Sequence, residues 1–259
     1  MKEYFIGEKK LSNLLTIALV FGLALLVSDA LAGEWRVSPT RIDLSRNSKS
    51  SIVTVENVSE EIITLTTQVM GWTQDDDGKD KFLESDDLVV FPKVLLIKPG
   101  QSRVIRTGVK VPAIKQEKSY RLFIKEQPSE AEAKNGTISV VMQFAIPIFS
   151  KPLQEEFAGT FEKIDFNNSS LDILLRNTGN IFFRINDVKF SGKDVTGEET
   201  FQQELKGWYL LAGSARNFSI DLPSDVCATI QNLDVVVNTD HGPLTKQIEL
   251  NQGMCSSSQ

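Results

Sequence analysis

The residue types that usually carry enzymatic chemistry are sparse in this chain of 259 residues. Its one histidine, His241, lies in the stretch NTDHGPL, which is typical of a turn at the end of a strand. Nucleophilic catalysis needs a serine or cysteine next to an activating base, and no motif of that kind accompanies His241. The two cysteines are too few for a zinc site. The sequence therefore predicts a protein that is not an enzyme and that has no cofactor.

The two cysteines predict a disulfide bond instead. Cys227 and Cys255 are expected to pair if the protein is exported into an oxidising compartment. Closing the loop between them would stabilise the fold by about 3–4 kcal/mol in the chain-entropy account. Two free thiols remain the alternative.

One acidic stretch has part of the spacing of a calcium-binding loop. In TQDDDGKDKFLE, residues 73–84, the third, fifth, sixth and twelfth places match that pattern: Asp75, Asp77, Gly78 and Glu84. The first place is Thr73, however, and the residues before it alternate like a strand. The sequence therefore favours a solvated hairpin loop, and no metal site is predicted.

The N-terminus has the features of a secretory signal peptide. Two lysines precede the apolar run LLTIALVFGLALLV, and the small-residue site ALA follows at residues 30–32. We expect cleavage before Gly33, so that residues 1–32 are the signal peptide. A membrane anchor is the alternative, but the run is shorter than the roughly 20 residues that a spanning helix needs.

The rest of the composition excludes two classes of partner. The formal charge is −6, and acidic and basic residues are interspersed, so nothing indicates nucleic-acid binding. After the signal peptide, no stretch is long and apolar enough for a membrane span. The sequence predicts an exported protein.

Short runs of alternating residues fill the chain after the signal peptide. Seven of them precede Lys151 and Pro152, a number and spacing that fit one immunoglobulin-like sandwich. The pattern restarts after Pro152 with runs such as LDILLRNTG and LDVVVNT. The predicted fold is all-β, with an immunoglobulin-like β-sandwich domain at residues 33–151 and a second one at residues 152–259.

The last run of the first half, TISVVMQFAIPIFS at residues 137–150, alternates strictly. Its even positions are all large and apolar: Ile138, Val140, Met142, Phe144, Ile146 and Ile148. This alternation predicts one strand, much longer than the usual 5–6 residues. Pro147 cannot donate a ladder hydrogen bond, which favours an edge position. Such an edge is open to pairing with another chain.

An ordered set of segments resembles a known family, the periplasmic pilus chaperones of the chaperone–usher pathway (PapD-like). LVVFPKVLLIKPGQSRVIRTG, SYRLFIKEQPSE and SVVMQFAIPIF are similar to its first domain, and RNTGNIFFRINDVKF and WYLLAGSARNF to its second. The segments AIPIF, SYRL and GWTQDDDG are most similar to the archaic branch. The resemblance implies two immunoglobulin-like domains in an L-shaped arrangement, a periplasmic location, and pilin or fimbrial subunits and an outer-membrane usher as partners.

The resemblance also implies what the edge strand pairs with. A pilin subunit is a sandwich without its last strand, and the chaperone lends its own strand G1 to fill the gap. On this basis Val140, Met142 and Phe144 are the main donor residues, flanked by Ile138 and Ile146. The alternative is that these even positions face the core of their own domain.

The resemblance further implies an anchor for the C-terminal carboxylate of the subunit. The better-known branch uses an arginine on the first strand and a lysine on G1. Arg41 in SPTRIDL occupies the first of these positions, but Pro147 stands at the second. In the archaic branch the arginine of SYRL is the anchor, which is Arg121 here. We therefore predict Arg121 as the main anchor and Arg41 as secondary, with a solvated strand-face charge as the alternative for Arg121.

Two other functional classes fit an exported β-sandwich. A secreted enzyme would need a clustered catalytic site, which the sequence does not show. A surface adhesin or carbohydrate-binding protein would present aromatic residues on one sheet face. The three tryptophans, Trp35, Trp72 and Trp208, are instead scattered and are expected in the core or at its rim.

Overall fold

The computed structural model of the protein describes residues 35–75, 77–128, 141–167 and 170–251. The first sandwich is built from ten strands: β1 (Trp35–Ser38), β2 (Ile42–Leu44), β3 (Ser50–Asn57), β4 (Ile63–Gln74), β5 (Asp80–Glu84), β6 (Leu88–Phe91), β7 (Val94–Ile97), β8 (Ser102–Val109), β9 (Lys118–Gln127) and β10 (Gln143–Ser150). One sheet has the order β1-β3-β8-β6. The other has the order β2-β10-β9-β4-β5, with β7 also paired to β4.

The second sandwich follows after a short connection and contains the other strands: β11 (Gly159–Asn167), β12 (Ser170–Asn177), β13 (Phe183–Lys193), β14 (Glu199–Lys206), β15 (Tyr209–Leu210), β16 (Ala215–Asp221), β17 (Asn232–Thr239) and β18 (Gly242–Glu249). Its sheets have the orders β11-β12-β16 and β14-β13-β17-β18, and β15 pairs with β13. The four-residue helix α1 (Ser224–Cys227) precedes β17. The predicted all-β fold with two sandwiches is confirmed, whereas the exact boundary at residue 151 stays a prediction.

Each sandwich has its own apolar core, because alternate strand residues point to one face. In β12 the residues Leu171, Ile173 and Leu175 are buried, and the residues between them are not. Burying one apolar side chain of this size stabilises the fold by about 1.5–3 kcal/mol, so this alternation fixes which face of the strand packs inward.

The acidic stretch at residues 73–84 forms the hairpin that the sequence favoured. Strands β4 and β5 pair antiparallel, and the Asp75 side chain accepts hydrogen bonds from the backbone N–H groups of Lys79 at 2.8 Å and Asp77 at 3.2 Å. The bond from Lys79 is the main reason that the pKa of Asp75 lies below its ordinary value. Gly78 has a φ of +75°, which a tight turn requires and which other residues adopt at a cost.

Two further expectations concern turns and spans. His241 lies in the turn between β17 and β18, as predicted, and its ring stacks on Phe157 at 5.1 Å. The described part of the chain contains no helix with the length and apolarity to cross a membrane. The predicted signal peptide lies outside the described residues.

The strand predicted at residues 137–150 is shorter than expected in the part that the structure describes. Strand β10 begins at Gln143, and Met142 lies before it. It pairs with β9 along its whole length, but β2 covers its other side only at residues 148–150. Among the described residues, no strand pairs with the outer side of residues 143–147. The predicted edge position is therefore confirmed for this segment.

Candidate functional site

The even-numbered residues of the edge strand pack against the core of the first sandwich. Ile146 is only 2% exposed, while Met142 and Phe144 are half-buried at the margin of this core. The ring of Phe144 meets Trp35 edge-on at 4.7 Å. The free chain thus has these three residues on its own core, which was the alternative to a donor role. Ile146 has almost no free surface to offer, and Ile138 and Val140 lie outside the described residues.

A buried carboxylate holds the start of the edge strand. Glu126 on β9 accepts hydrogen bonds from the indole N–H of Trp35 and from the backbone N–H of Met142, both at 3.2 Å. Its own backbone N–H donates to the carbonyl oxygen of Met142 at 3.0 Å. The half-buried side chains of Met142 and Phe144 are thereby fixed at the unpaired part of β10.

The opposite face of the same sheet carries the predicted anchor. In the sheet, Arg121 of β9 lies opposite Pro147 of β10 on one side and opposite Met70 of β4 on the other. Its guanidinium carbon lies 3.7 Å from the centroid of the Trp72 ring, and Nη1 donates to the carbonyl oxygen of Ala145 at 3.2 Å. Arg121 is only 6% exposed, so it is not the solvated surface charge that was the alternative.

The guanidinium of Arg121 is charged but lacks a carboxylate partner. No carboxylate of the described residues forms an ion pair with it. Burial lowers the pKa of Arg121, and the nearby Asp80 partly opposes that effect. The guanidinium stays protonated nonetheless. It has five N–H donors, and within the described residues it donates one hydrogen bond, to Ala145. The positive charge of Arg121 therefore has no ion-pair partner among the described residues and is only partly compensated by Asp80.

Arg41 lies on the other side of the edge strand and in a different environment. It precedes β2, whose Ile42 pairs with Ile148, so the register sets Arg41 beside Pro147. Its side chain is exposed, and its Nε donates to the Asp43 carboxylate at 3.0 Å. The two predicted anchors therefore flank Pro147, but only Arg121 is buried and unpaired.

Aromatic residues from both sandwiches surround Arg121. Trp72 and Phe149 of the first sandwich pack against the second at a cluster that we name the seam: Trp72, Phe149, Phe182, Tyr209 and Leu211. Phe149 stacks on Phe182 at 3.8 Å. The rings of Tyr209 and Trp208 lie 5.4 Å and 5.8 Å from the guanidinium carbon of Arg121.

Polar contacts reinforce the seam. The side chain of Gln74 donates to the carbonyl oxygen of Tyr209 at 2.8 Å and accepts from the backbone N–H of Leu211 at 3.0 Å. The indole N–H of Trp208 donates to Asp80 at 3.1 Å. The hairpin of β4 and β5 is thus hydrogen-bonded to the second sandwich. These bonds hold the rings of Trp208 and Tyr209 close to Arg121.

The first sandwich matches a known family. Residues 35–155 match the family described as "Pili and flagellar-assembly chaperone, PapD N-terminal domain". This part of the chain is similar to the N-terminal domain of that family. The resemblance that the sequence segments carried is therefore confirmed. A comparison with curated proteins gave no match.

Solved structures extend the likeness to both sandwiches. A complex of the chaperone CsuC with the tip adhesion subunit CsuE, from the archaic chaperone–usher Csu pili of Acinetobacter baumannii, matches with a TM-score of 0.57 and 20% identity, over 84% of this chain and 98% of that chain. The class 5 fimbriae chaperone CfaA matches with a TM-score of 0.56 and 16% identity, over 82% and 98%. The YadV chaperone matches with a TM-score of 0.57 and 12% identity, over 84% and 100%. At these identities the likeness establishes the fold.

One residue beside the seam carries chemistry that the sequence did not indicate. Glu117 is 7% exposed, and its Oε1 accepts a hydrogen bond from the backbone N–H of Phe182 at 3.1 Å. Its Oε2 has no partner, and burial raises the pKa of this carboxyl to about 8. Glu117 and Trp72, whose indole N–H also lacks a partner, line one cavity of about 400 Å³. In the sequence, Glu117 is one of several charges in KQEKSY, and no local pattern marks it as buried.

The predicted disulfide is only half within the described residues. Cys227, in α1, is buried in the core of the second sandwich. Cys255 lies outside the described residues, so the bridge stays a prediction.

Proposed function

We propose that the protein is a periplasmic chaperone that binds pilin or fimbrial subunits by donor-strand complementation and delivers them to an outer-membrane usher. The match of residues 35–155 to the assembly-chaperone family supports the chaperone role. The single observation that carries the site assignment is the buried guanidinium of Arg121, which has no carboxylate partner in the described chain.

A buried charge without a counterion costs several kcal/mol, so it persists where it has a use. A carboxylate that enters the site would offer two oxygens to the planar fork of Arg121, a short and charge-assisted arrangement. The C-terminus of another chain can supply such a group at a strand edge. In the proposed complex Arg121 is the main anchor, and Arg41, already paired with Asp43, contributes less.

The unpaired segment of β10 supports the second half of the interaction. No strand of the described chain pairs with its outer side at residues 143–147, where the carbonyl oxygen of Ala145 accepts from Arg121 and Pro147 has no N–H. The other outer backbone groups can pair with a strand from a partner, a mode of recognition known as β-augmentation. Met142 and Phe144 are half-buried at this edge and are the donor residues that we retain. Val140 and Ile138 extend the proposed donor strand, and Ile146 sits at its buried end. The structure of CsuC with its tip adhesion subunit is a precedent for a chaperone–subunit complex in this fold.

The proposed mechanism has no turnover and no cofactor. The subunit folds on the donor strand, and burial of apolar surface between the two chains supplies the free energy. An adhesin or carbohydrate-binding role has less support, because Trp35 and Trp72 are both 2% exposed and only Trp208 has a substantial free surface.

The test is to purify the exported protein from its native cells and to identify the small subunit that co-purifies. Complex yield is then compared for Arg121→Ala, Arg121→Lys and Arg41→Ala, each co-expressed with that subunit. Loss of a desolvated charge partner costs about 2–5 kcal/mol, so Arg121→Ala should weaken binding at least tenfold. Arg121→Lys should restore part of it, because an ammonium lacks the two-donor fork.

Thermal melting of each free variant is the control. Arg121→Ala removes a buried charge together with its stacking on Trp72 and its bond to Ala145, so complex yields are compared only among variants that remain folded at the assay temperature. If Arg41→Ala abolishes the complex and Arg121→Ala leaves it intact, the anchor is Arg41, and the archaic-type assignment is wrong.

A further inference from the structure

Trp208 belongs to the second sandwich but is fixed to the first. Its indole N–H donates to the Asp80 carboxylate at 3.1 Å, and its ring meets Tyr209 edge-on at 5.4 Å. The preceding Gly207 passes so close to Ile185 that a Cβ there would overlap the Ile185 carbonyl oxygen. These contacts fix both the backbone and the ring orientation. Even so, Trp208 is 41% exposed.

The exposed ring is within reach of whatever binds Arg121. Its centroid lies 5.8 Å from the guanidinium carbon. A carboxylate bound by an arginine has its oxygens about 2.7–2.9 Å from the donor nitrogens. In a C-terminal residue, the first atom of the side chain, Cβ, is only two bonds from the carboxylate carbon, so the side chain starts close to the bound group. It therefore comes into van der Waals range of an aromatic ring at that distance.

We propose that Trp208 makes the anchor selective for partners whose last residue has an aromatic or large apolar side chain. This inference rests on the proposed function, because it assumes that Arg121 binds the partner's C-terminal carboxylate. An indole face offers apolar area and an offset or edge-on partner for a second ring. An acidic last residue would instead meet the Asp80 carboxylate that holds the indole. The second sandwich then takes part in the choice of partner.

The experiment uses the co-purified subunit with its last residue replaced by Phe, Ala or Asp, and measures its complex yield and dissociation rate with the full-length chaperone. Wild-type chaperone should hold the Phe form about two- to tenfold more tightly than the Ala form, and the Asp form least. This range corresponds to the typical strength of an aromatic pair. Trp208→Ala should bind the Phe and Ala forms alike.

Two further variants keep the test decisive. Trp208→Phe keeps an aromatic face but loses the bond to Asp80, and it should retain the preference for Phe. Phe91→Ala removes an exposed aromatic residue from the other sheet of the first sandwich, 68% exposed, and should change nothing. Equal binding of the Phe and Ala forms by wild type, or an unchanged preference in Trp208→Ala, overturns the inference. Binding that is insensitive to Arg121→Ala would overturn the proposed anchor instead, so the two failures are distinguishable.

Discussion

Glu117 gives the fold a pH dependence that can be tested directly with Glu117→Gln. Its carboxyl is buried at the seam, with Oε1 bonded to the backbone N–H of Phe182 and Oε2 without a partner. Burial is the main cause of its raised pKa of about 8, and the like charges of Asp43 and Glu155 add to it. The amide of Phe182 and the charge of Lys151 oppose the shift.

The sign follows from proton linkage. In the unfolded chain this carboxyl ionises near its ordinary value of 4.5, whereas in the folded chain it stays protonated up to about pH 8. Between these two values the folded state binds more protons, so the free energy of unfolding falls as the pH rises. The stabilisation is complete below about pH 4.5 and lost above about pH 8. At about 1.4 kcal/mol for each tenfold change in proton affinity, the rise of the pKa from 4.5 to about 8 is worth at most about 5 kcal/mol.

The assay is the melting temperature of the free protein from pH 5 to pH 9. A side-chain amide keeps the size of the neutral carboxyl and cannot ionise, so Glu117→Gln should lack this part of the pH dependence. One kcal/mol shifts the melting temperature of a protein of this size by about 2–4 °C. Between pH 5 and pH 8 the wild type should therefore lose about 5–15 °C relative to Glu117→Gln.

The matched control is Glu155→Gln, which removes an exposed carboxylate paired with Lys151 near the same seam. Its curve should run parallel to that of the wild type, because exposed ion pairs contribute little. The protection factor of the Phe182 amide, in which the intrinsic pH dependence of exchange is removed, should also fall with pH in the wild type and stay constant in Glu117→Gln. Parallel melting curves for Glu117→Gln and the wild type would refute this account of the seam.

Three further predictions concern the edge, the cysteines and the hairpin. Met142→Asp should leave the chaperone folded but abolish partner recovery in a pull-down, because an unpaired carboxylate buried in the groove of the subunit costs several kcal/mol. Unchanged recovery, or unfolding of the free chaperone, would count against the donor assignment. The exported protein should show no free thiol until it is denatured and reduced, whereas two titratable thiols after denaturation alone would exclude the bridge. Gly78→Ala should lower the melting temperature more than Gly197→Ala. Both glycines have a positive φ, but only at Gly78 would an added Cβ lie close to another residue, 2.9 Å from Arg216 Cγ. Equal losses in the two variants would show that this contact is unimportant.

Sequence periodicity is sufficient to predict the sandwiches because strand side chains alternate with period two. The run LDILLRNTG carries this period, and its Leu171, Ile173 and Leu175 face the second core. The turn at His241 and the β4–β5 hairpin are local features, set by residues a few positions apart. Such short-range chemistry is visible without any knowledge of the tertiary fold.

Periodicity does not reveal how long a strand is or what covers its faces. The alternation starts at residue 137, whereas β10 begins only at Gln143, with the first pair of its ladder with β9. Alternation also assigns the even residues to one face without telling whether a core or a partner lies there. The free chain has Phe144 on its own core, where its ring contacts Trp35.

The anchor depends on contacts that are distant in sequence. SYRL indicated Arg121 through a family resemblance, but its burial results from the seam, where Asp80 bonds to Trp208 across 128 positions. No local pattern encodes such a contact. The same holds for Glu117, because its hydrogen-bond partner Phe182 belongs to the other sandwich.

Unsatisfied polar groups concentrate at this seam. Buried side-chain polar atoms nearly always find a partner. The two exceptions in the described chain are Oε2 of Glu117 and the indole N–H of Trp72. Both residues line the same cavity of about 400 Å³ beside the seam. Arg121, stacked on Trp72, is a buried cation without a carboxylate partner among the described residues. A carboxylate that binds Arg121 would neutralise this charge directly against the aromatic seam, so binding of a partner should also stabilise the contact between the two sandwiches. The proposed anchor therefore lies where one bound group can act on both domains.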